Sequence, residues 1–303
     1  MNVIETHALG KSYGSTRALH DCTLAIPDRH MVALVGPNGA GKTTLLNLTV
    51  GLVLPSTGEV TVLGGHCASS LAALDGIAFV AQNAPLYKNL SAADLLHETR
   101  NLNRFFDQHY AEHRLDELGI PLRQKAGKIS GGQQAQLALT LALARRPQLL
   151  MLDEPMAALD PIARDDFMAT VMRAITEDGV SVVLSSHVLA ELERVADYLV
   201  VVSRGGVQVA GEVEDLVATH RMLTGPAAGS ERYTREWRVV HASSAGSEAR
   251  LLVRWESSNP VPPAWEERPV TLEELTMAYL REQGDASLSG AQRGSTEASE
   301  VTR

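Results

Sequence analysis

The chain has 303 residues, 45% of them hydrophobic and 4% aromatic, with 27 Lys and Arg against 36 Asp and Glu, a formal net charge of −9. Apolar content of this order can fill a sizeable core, and a charged fraction of 21% suits an ordinary soluble surface, which excludes wholly disordered, collagen-like and coiled-coil chains. The acidic balance argues against a protein that holds nucleic acid chiefly by neutralising phosphates, so no nucleic-acid partner is expected.

In chain order, residues 1–10 lack the charged head and apolar run of a secretory signal. Residues 3–9 and 23–26 read as short strands, and 31–35 as a compact buried strand that ends at a Gly-Pro-Asn-Gly turn and must be followed by a helix. Residues 44–54 are helical in tendency as far as Gly51, and 59–63 and 77–81 are again short strands. Leu95, Leu96, Leu102, Phe106, Leu115 and Leu118 recur at three- and four-residue spacing, which predicts a helical block over 91–118. A further helix over 132–145 is ended by Pro147. Strands at 149–152, 181–185 and 198–203 then alternate with helices at 161–177 and 187–196, the pattern of an α/β fold with a mostly parallel sheet. Cys22 and Cys67 show no metal or redox spacing and read as reduced thiols. No run reaches the ~18 apolar residues needed to span a bilayer, so work at a membrane would require a spanning partner.

Composition shifts near residue 222. Gly225, Pro226, Ala227, Ala228, Gly229 and Ser230 read as a linker over 223–230. Beyond it a small accessory unit is expected over 231–283, with strands at 237–241 and 251–255 and a helix opened by a Thr271/Glu274 capping box. Residues 284–303 are rich in Ser, Gly, Ala and Glu and are expected to be disordered.

The chemistry starts at Gly36-Pro37-Asn38-Gly39-Ala40-Gly41-Lys42-Thr43, followed by Thr44. This fits the Gly-x4-Gly-Lys-[Ser/Thr] loop, set between a strand and a helix as the motif requires. Its backbone N–H groups can cradle phosphate oxygens, with Lys42 on the β and γ phosphates and Thr43 on Mg2+. An apolar strand then delivers Asp153 and Glu154 at its C-terminal end, where ligands sit in open α/β sheets. Asp153 suits a Mg2+ shell and Glu154 suits polarising a water for in-line attack on a γ-phosphate. Between the two elements, Ser130, Gly131, Gly132 and Gln133 open a helix, another terminus able to bind an anion or simply to cap itself.

Taken with both phosphate-site elements, the run Ile129-Ser130-Gly131-Gly132-Gln133 resembles the signature of ATP-binding cassette (ABC) ATPases, and the resemblance extends over roughly residues 2–220. It implies ATP and Mg2+ as ligands and an ATP-hydrolysing subunit that energises a membrane transporter. It also implies further roles: Tyr13 as the ring that stacks on adenine, Gln82 as the glutamine that reaches Mg2+ and the attacking water, Asp160 as a link between two nucleotide sites, and His187 as the γ-phosphate contact. The implied fold is a cassette over 1–222, with a RecA-like core, an antiparallel β subdomain and an inserted helical subdomain at about 85–146, followed by a small α+β extension. The implied partners are a transmembrane permease and a second copy of the chain or a paralogous subunit, closing head to tail at the cytoplasmic face of the membrane. The layout resembles ATPase subunits of bacterial drug, antibiotic or polysaccharide exporters. Ile129, Gln134, Gln136 and Ala157 depart from common family choices. A soluble ABC ATPase acting on DNA or ribosomes is the alternative.

Overall fold

The computed structural model describes residues 1–82, 86–157, 159–187, 192–255 and 261–281. The long strands β1 (Asn2–Tyr13) and β2 (Thr16–Pro27) form an antiparallel hairpin, and β4 (Thr57–Val62) and the short β5 (His66–Cys67) extend it into a sheet ordered β2-β1-β4-β5. Between them in sequence lie β3 (Met31–Val35) and α1 (Lys42–Thr49). All five side chains of β3 are buried, because the strand runs through the middle of the second sheet and is covered on both faces.

That second sheet also contains β6 (Ile77–Val80), preceded by α2 (Leu71–Gly76), together with β7 (Leu149–Asp153), β8 (Ser181–Ser186), β9 (Tyr198–Ser203) and β10 (Gly206–Glu212). Its order is β10-β9-β3-β8-β7-β6, with β10 antiparallel to β9 and the other pairings parallel. The C-terminal ends of β3, β6, β7 and β8 therefore lie at one edge. The chain leaves each of those ends into Gly36, Ala81, Glu154 and His187 respectively. This brings four distant motifs to one place.

The helical block comprises α3 (Ala92–Leu102), α4 (Gln108–Glu117) and α5 (Gly131–Ala144). α5 carries two apolar stripes. Ala135, Leu139, Ala142 and Leu143 join the core of the parallel sheet, and Leu137, Leu141 and Ala144 join Leu95, Leu96 and Leu115 in a separate core. α6 (Pro161–Asp178) follows β7 and begins with Asp160 as its cap and Pro161 in the first turn, a favourable entry for a helix. Of the expected helix over 187–196, residues 188–191 lie outside the described residues, and 192–195 form turns.

The expected linker is not one. After α7 (Val213–Ala218), residues 220–226 form β11 (His220–Pro226), paired on one side with β13 (Glu248–Arg254) and on the other with β14 (Glu266–Pro269). Gly225 serves clearance, since a Cβ there would come within 2.7 Å of the Trp265 ring. With α8 (Ser230–Glu236), β12 (Arg238–Ala245) and α9 (Leu272–Arg281), the sheet order is β12-β13-β11-β14. The Thr271/Glu274 capping box forms: Glu274 N–H donates to Thr271 Oγ1 and Thr271 N–H to Glu274 Oε2, both at 3.1 Å. Leu272, Leu275 and Tyr279 of α9 pack into the same core as Leu199 and Val201 of β9, so the extension shares the cassette's interior. Both cysteines are free: Cys22 is buried and burial pushes its thiol pKa up, while Cys67 is exposed. Residues 284–303 lie outside the described residues. Among the described residues, no helix is long and apolar enough to cross a membrane.

Candidate functional site

The glycine loop folds as its composition requires. Gly36 leaves β3, Ala40 N–H closes a tight turn on Pro37 O at 3.1 Å, and Gly41 takes a left-handed φ of 108° immediately before α1. A Cβ at Gly41 would lie 2.5 Å from Leu19 Cδ2 and 2.8 Å from Ala18 O, so only glycine fits against β2. No side chain caps the start of α1. Its first N–H groups, among them those of Lys42, Thr43 and Thr44, are thus left for an anion. Lys42 is buried, and its Nζ donates to Gly36 O at 2.8 Å. Thr43 is exposed and Thr44 half-buried on the same turn, while Asn38 and Gly39 are exposed.

At the end of β7, Asp153 is buried and Glu154 has φ 46°, a left-handed conformation costing a non-glycine residue about 1–3 kcal/mol. Three groups surround the Glu154 carboxylate. Lys42 Nζ is 3.4 Å from Oε1, while His187 Nδ1 at 3.3 Å and Gln82 Nε2 at 3.4 Å face Oε2. Three residues singled out from sequence, each from a different part of the chain, therefore contact a fourth, Glu154. Glu154, Ser185, Ser186, His187 and Arg164 line a small cavity beside this cluster.

One residue at the site was not singled out from sequence. Ser185, fully buried on β8, donates from Oγ to Asp153 Oδ1 at 2.6 Å and accepts from Glu154 N–H at 2.9 Å. The signal available was a hydroxyl near the end of a fully buried strand. Its meaning depends on Asp153 standing opposite it in the β7–β8 register.

Other candidates lie apart from this cluster or serve locally. Ser130 Oγ accepts Gln133 N–H at 3.1 Å and Gln133 Oε1 accepts Ser130 N–H at 3.2 Å, so these two form a reciprocal capping box with each other. Gly131 is exposed and Gly132 half-buried on that first turn. Asp160 caps α6 through Ala163 N–H at 3.0 Å. Tyr13, at the tip of the β1–β2 hairpin, is 48% exposed, with Lys11 Nζ 5.2 Å from its ring centroid. Of the departures from family habit, Ile129 is buried in the helical core, and Gln134 Nε2 donates to its carbonyl at 3.0 Å.

Asp153, Thr43 and Gln82 supply only oxygen donors suited to a hard cation, and among the described residues there is no group of three His, Cys, Asp or Glu that could hold a metal alone. That sparse set fits Mg2+, which is held by one or two protein oxygens together with phosphate and water, and it does not fit a dedicated protein cage.

Residues 19–157 match the family model described as ABC transporter. The chain is 36% identical over 219 residues to the Fe(3+) ions import ATP-binding protein FbpC of Pseudomonas fluorescens, covering 70% of this chain and 62% of that one. It therefore spans less than two thirds of that relative's length. It is 34% identical to the energy-coupling factor transporter ATP-binding protein EcfA of Methanoculleus marisnigri, covering 74% of this chain and 84% of that one. In fold it is similar to the dimeric structure of MJ0796, a bacterial ABC transporter cassette, with a TM-score of 0.62, 26% identity and coverage of 69% and 98%.

Proposed function

From the premise that this chain belongs to the family of ABC transporter ATP-binding subunits, we propose that it hydrolyses ATP at the Lys42–Glu154 cluster to energise a membrane-spanning permease. The observation that carries the proposal is the convergence of Lys42, Gln82 and His187 on the single carboxylate of Glu154.

The chemistry follows from what each group can do. The uncapped start of α1 and Lys42 bind the phosphates, and Lys42 exchanges its contact with Gly36 O for the β and γ oxygens. Glu154 accepts a hydrogen bond from the attacking water and orients it in line with the γ-phosphorus. His187 and Gln82, already within 3.4 Å of that carboxylate, hold it in place and donate toward the charge that spreads over the γ-phosphoryl oxygens. Thr43 and Asp153, with Gln82, would hold Mg2+, which neutralises phosphate charge when bound. Tyr13 offers an exposed ring on which adenine can stack.

Among the described residues the side chains of the signature turn bond only within it, and its N–H groups act on nucleotide held by another cassette, a second copy or a paralogous subunit. Asp160 at the start of α6 stands beside the same face, because Gly132 packs against Ala163. ATP favours the closed pair because only there does the signature turn meet the γ-phosphate, and hydrolysis removes that preference. The protein then works at the cytoplasmic face of the membrane, through its permease.

The finer reading is an exporter, supported by the layout of one cassette with a short extension ending in α9. FbpC is an import protein by name, so direction is a question for transport measurements in inverted vesicles, where an exporter accumulates its cargo on addition of ATP.

The test is ATP turnover by the purified chain and by Glu154→Gln. Turnover is expected to fall about 10³-fold in the variant, the scale of losing a general base. Equal rates would sink the mechanism. The same variant with ATP, used as bait in detergent-solubilised membranes, should recover a multi-spanning protein in near-equal amount; recovery of ribosomal or DNA-repair proteins alone would favour the soluble ATPase.

A further inference from the structure

We propose that Ser185 is the positioning residue that sets the catalytic carboxylate, by tying the backbone of Glu154 and the side chain of Asp153 to one buried hydroxyl. The inference rests on the ATPase reading of the site and adds to it a residue to which the sequence reading gave no role.

A serine hydroxyl has one hydrogen and two lone pairs. Here the hydrogen goes to Asp153 Oδ1 at 2.6 Å, and a lone pair accepts Glu154 N–H at 2.9 Å. The polarity of the relay is fixed, since an ionised carboxylate only accepts and a backbone N–H only donates. Ser185 is fully buried between β3 and β7, so no water can take over either bond from solvent. The register makes this geometry: Asp153 on β7 pairs with Ser185 on β8, and the chain turns off β7 at the next residue.

That next residue is the strained one. Glu154 at φ 46° relaxes toward ordinary backbone unless its surroundings hold it. Its N–H has two anchors, Ser185 Oγ at 2.9 Å and the longer bond to Ser185 O at 3.2 Å. Removing the hydroxyl leaves only the weaker anchor and strips Asp153 of a buried donor. The carboxylate of Glu154 then moves away from Lys42, Gln82 and His187, whose contacts at 3.3–3.4 Å are already longer than good hydrogen bonds. The phosphate contacts of the glycine loop are untouched, because the Ser185 side chain makes no bond to that loop, and Asp153 keeps its place opposite residue 185 through the β7–β8 pairing. The loss therefore falls on the chemical step rather than on affinity.

The experiment compares the full chain with Ser185→Ala, Ser185→Thr and Glu154→Gln, measuring kcat, the KM for ATP and the affinity for a fluorescent ATP analogue. Ser185→Ala is expected to lose roughly 10²-fold in kcat, the cost of a misplaced catalytic group, while KM and analogue affinity stay within about twofold. Ser185→Thr, which keeps the hydroxyl in a strand that favours β-branched residues, is expected to recover most of the loss. A kcat for Ser185→Ala within about threefold of wild type, or a loss that the threonine fails to restore, overturns the proposal. If Ser185→Ala does not fold, Ser185→Cys carries the test, since a thiol is a weak donor of similar shape; an unchanged kcat there overturns it equally. Absence of turnover in wild type would instead sink the ATPase reading itself. Wild-type turnover lost in Glu154→Gln but kept in Ser185→Ala would sink only the role of Ser185.

Discussion

Polar groups are arranged in two opposite ways in this molecule. Around Glu154, three donors crowd one carboxylate at 3.3–3.4 Å, all longer than good hydrogen bonds. Around His220, where the C-terminal extension meets the cassette, the contacts are short and complete: Nδ1 donates to Leu216 O at 2.7 Å, and Nε2 accepts from Tyr279 OH at 2.9 Å. The first set is loosely spaced, so its members can exchange partners for phosphate and water at little cost. The second set fastens α9 to β11, and every bond it makes contributes to the fold. The loose cluster is the one proposed for chemistry, and the tight one around His220 holds structure.

The sharpest way to break this comparison is Lys42→Ala. Loss of a charge-assisted phosphate contact is expected to lower affinity for a fluorescent ATP analogue by about 10²-fold, with the chain still folding cooperatively. A variant that kept its affinity and lost its fold would reverse the assignment of the loose cluster to chemistry.

Tyr279→Phe probes the tight cluster. It leaves His220 Nε2 buried without that donor, and unfolding free energy in denaturant should fall by about 1–3 kcal/mol, with ATP turnover per folded molecule retained. A large loss of turnover at unchanged stability would mean that the extension reaches into the catalytic cycle.

The smallest effect is in pH. Burial, with smaller contributions from Arg254 and Arg221, lowers the His220 pKa below the usual histidine value, against the raising influence of its bond to Leu216 O. The unfolded chain therefore takes up a proton at this histidine before the folded one does. The stabilisation is fully present above about pH 6.5, declines as pH falls below that, and is lost once pH passes the folded-state value. Denaturant midpoints measured from pH 8 down to pH 5 should decline in wild type, and the decline should be shallower in His220→Gln. Equal slopes would remove His220 from the account.

Comparing these regions also shows where sequence was readable. The Gly36–Thr43 loop, the Asp153–Glu154 pair and the Ser130–Gln133 turn could be read because each is a local device: residue types at fixed spacing on one strand end or one helix start. The Thr271/Glu274 box was readable for the same reason, and its bonds form as the spacing requires. Ser185 was not readable, because its two partners sit on and just past the neighbouring strand and pairing registers are set between strands. Residues 223–226 were misread because Gly and Pro usually mark flexible chain. Here Gly225 makes room for Trp265, and Pro226 stands at the last position of β11, where a missing N–H does little harm.

The sequence by itself therefore determined the family, the α/β alternation and the candidate groups proposed to hold phosphate and to orient water, since these are written in short-range patterns of backbone freedom, charge and apolar period. Only the tertiary structure decided which of those groups meet. Gln82, Glu154 and His187 leave different strands of one parallel sheet, and they converge because β6, β7 and β8 lie side by side with their C-terminal ends at one edge. That order is set by burial of whole strands against one another, an energy that belongs to the assembled sheet and to no single segment of the chain.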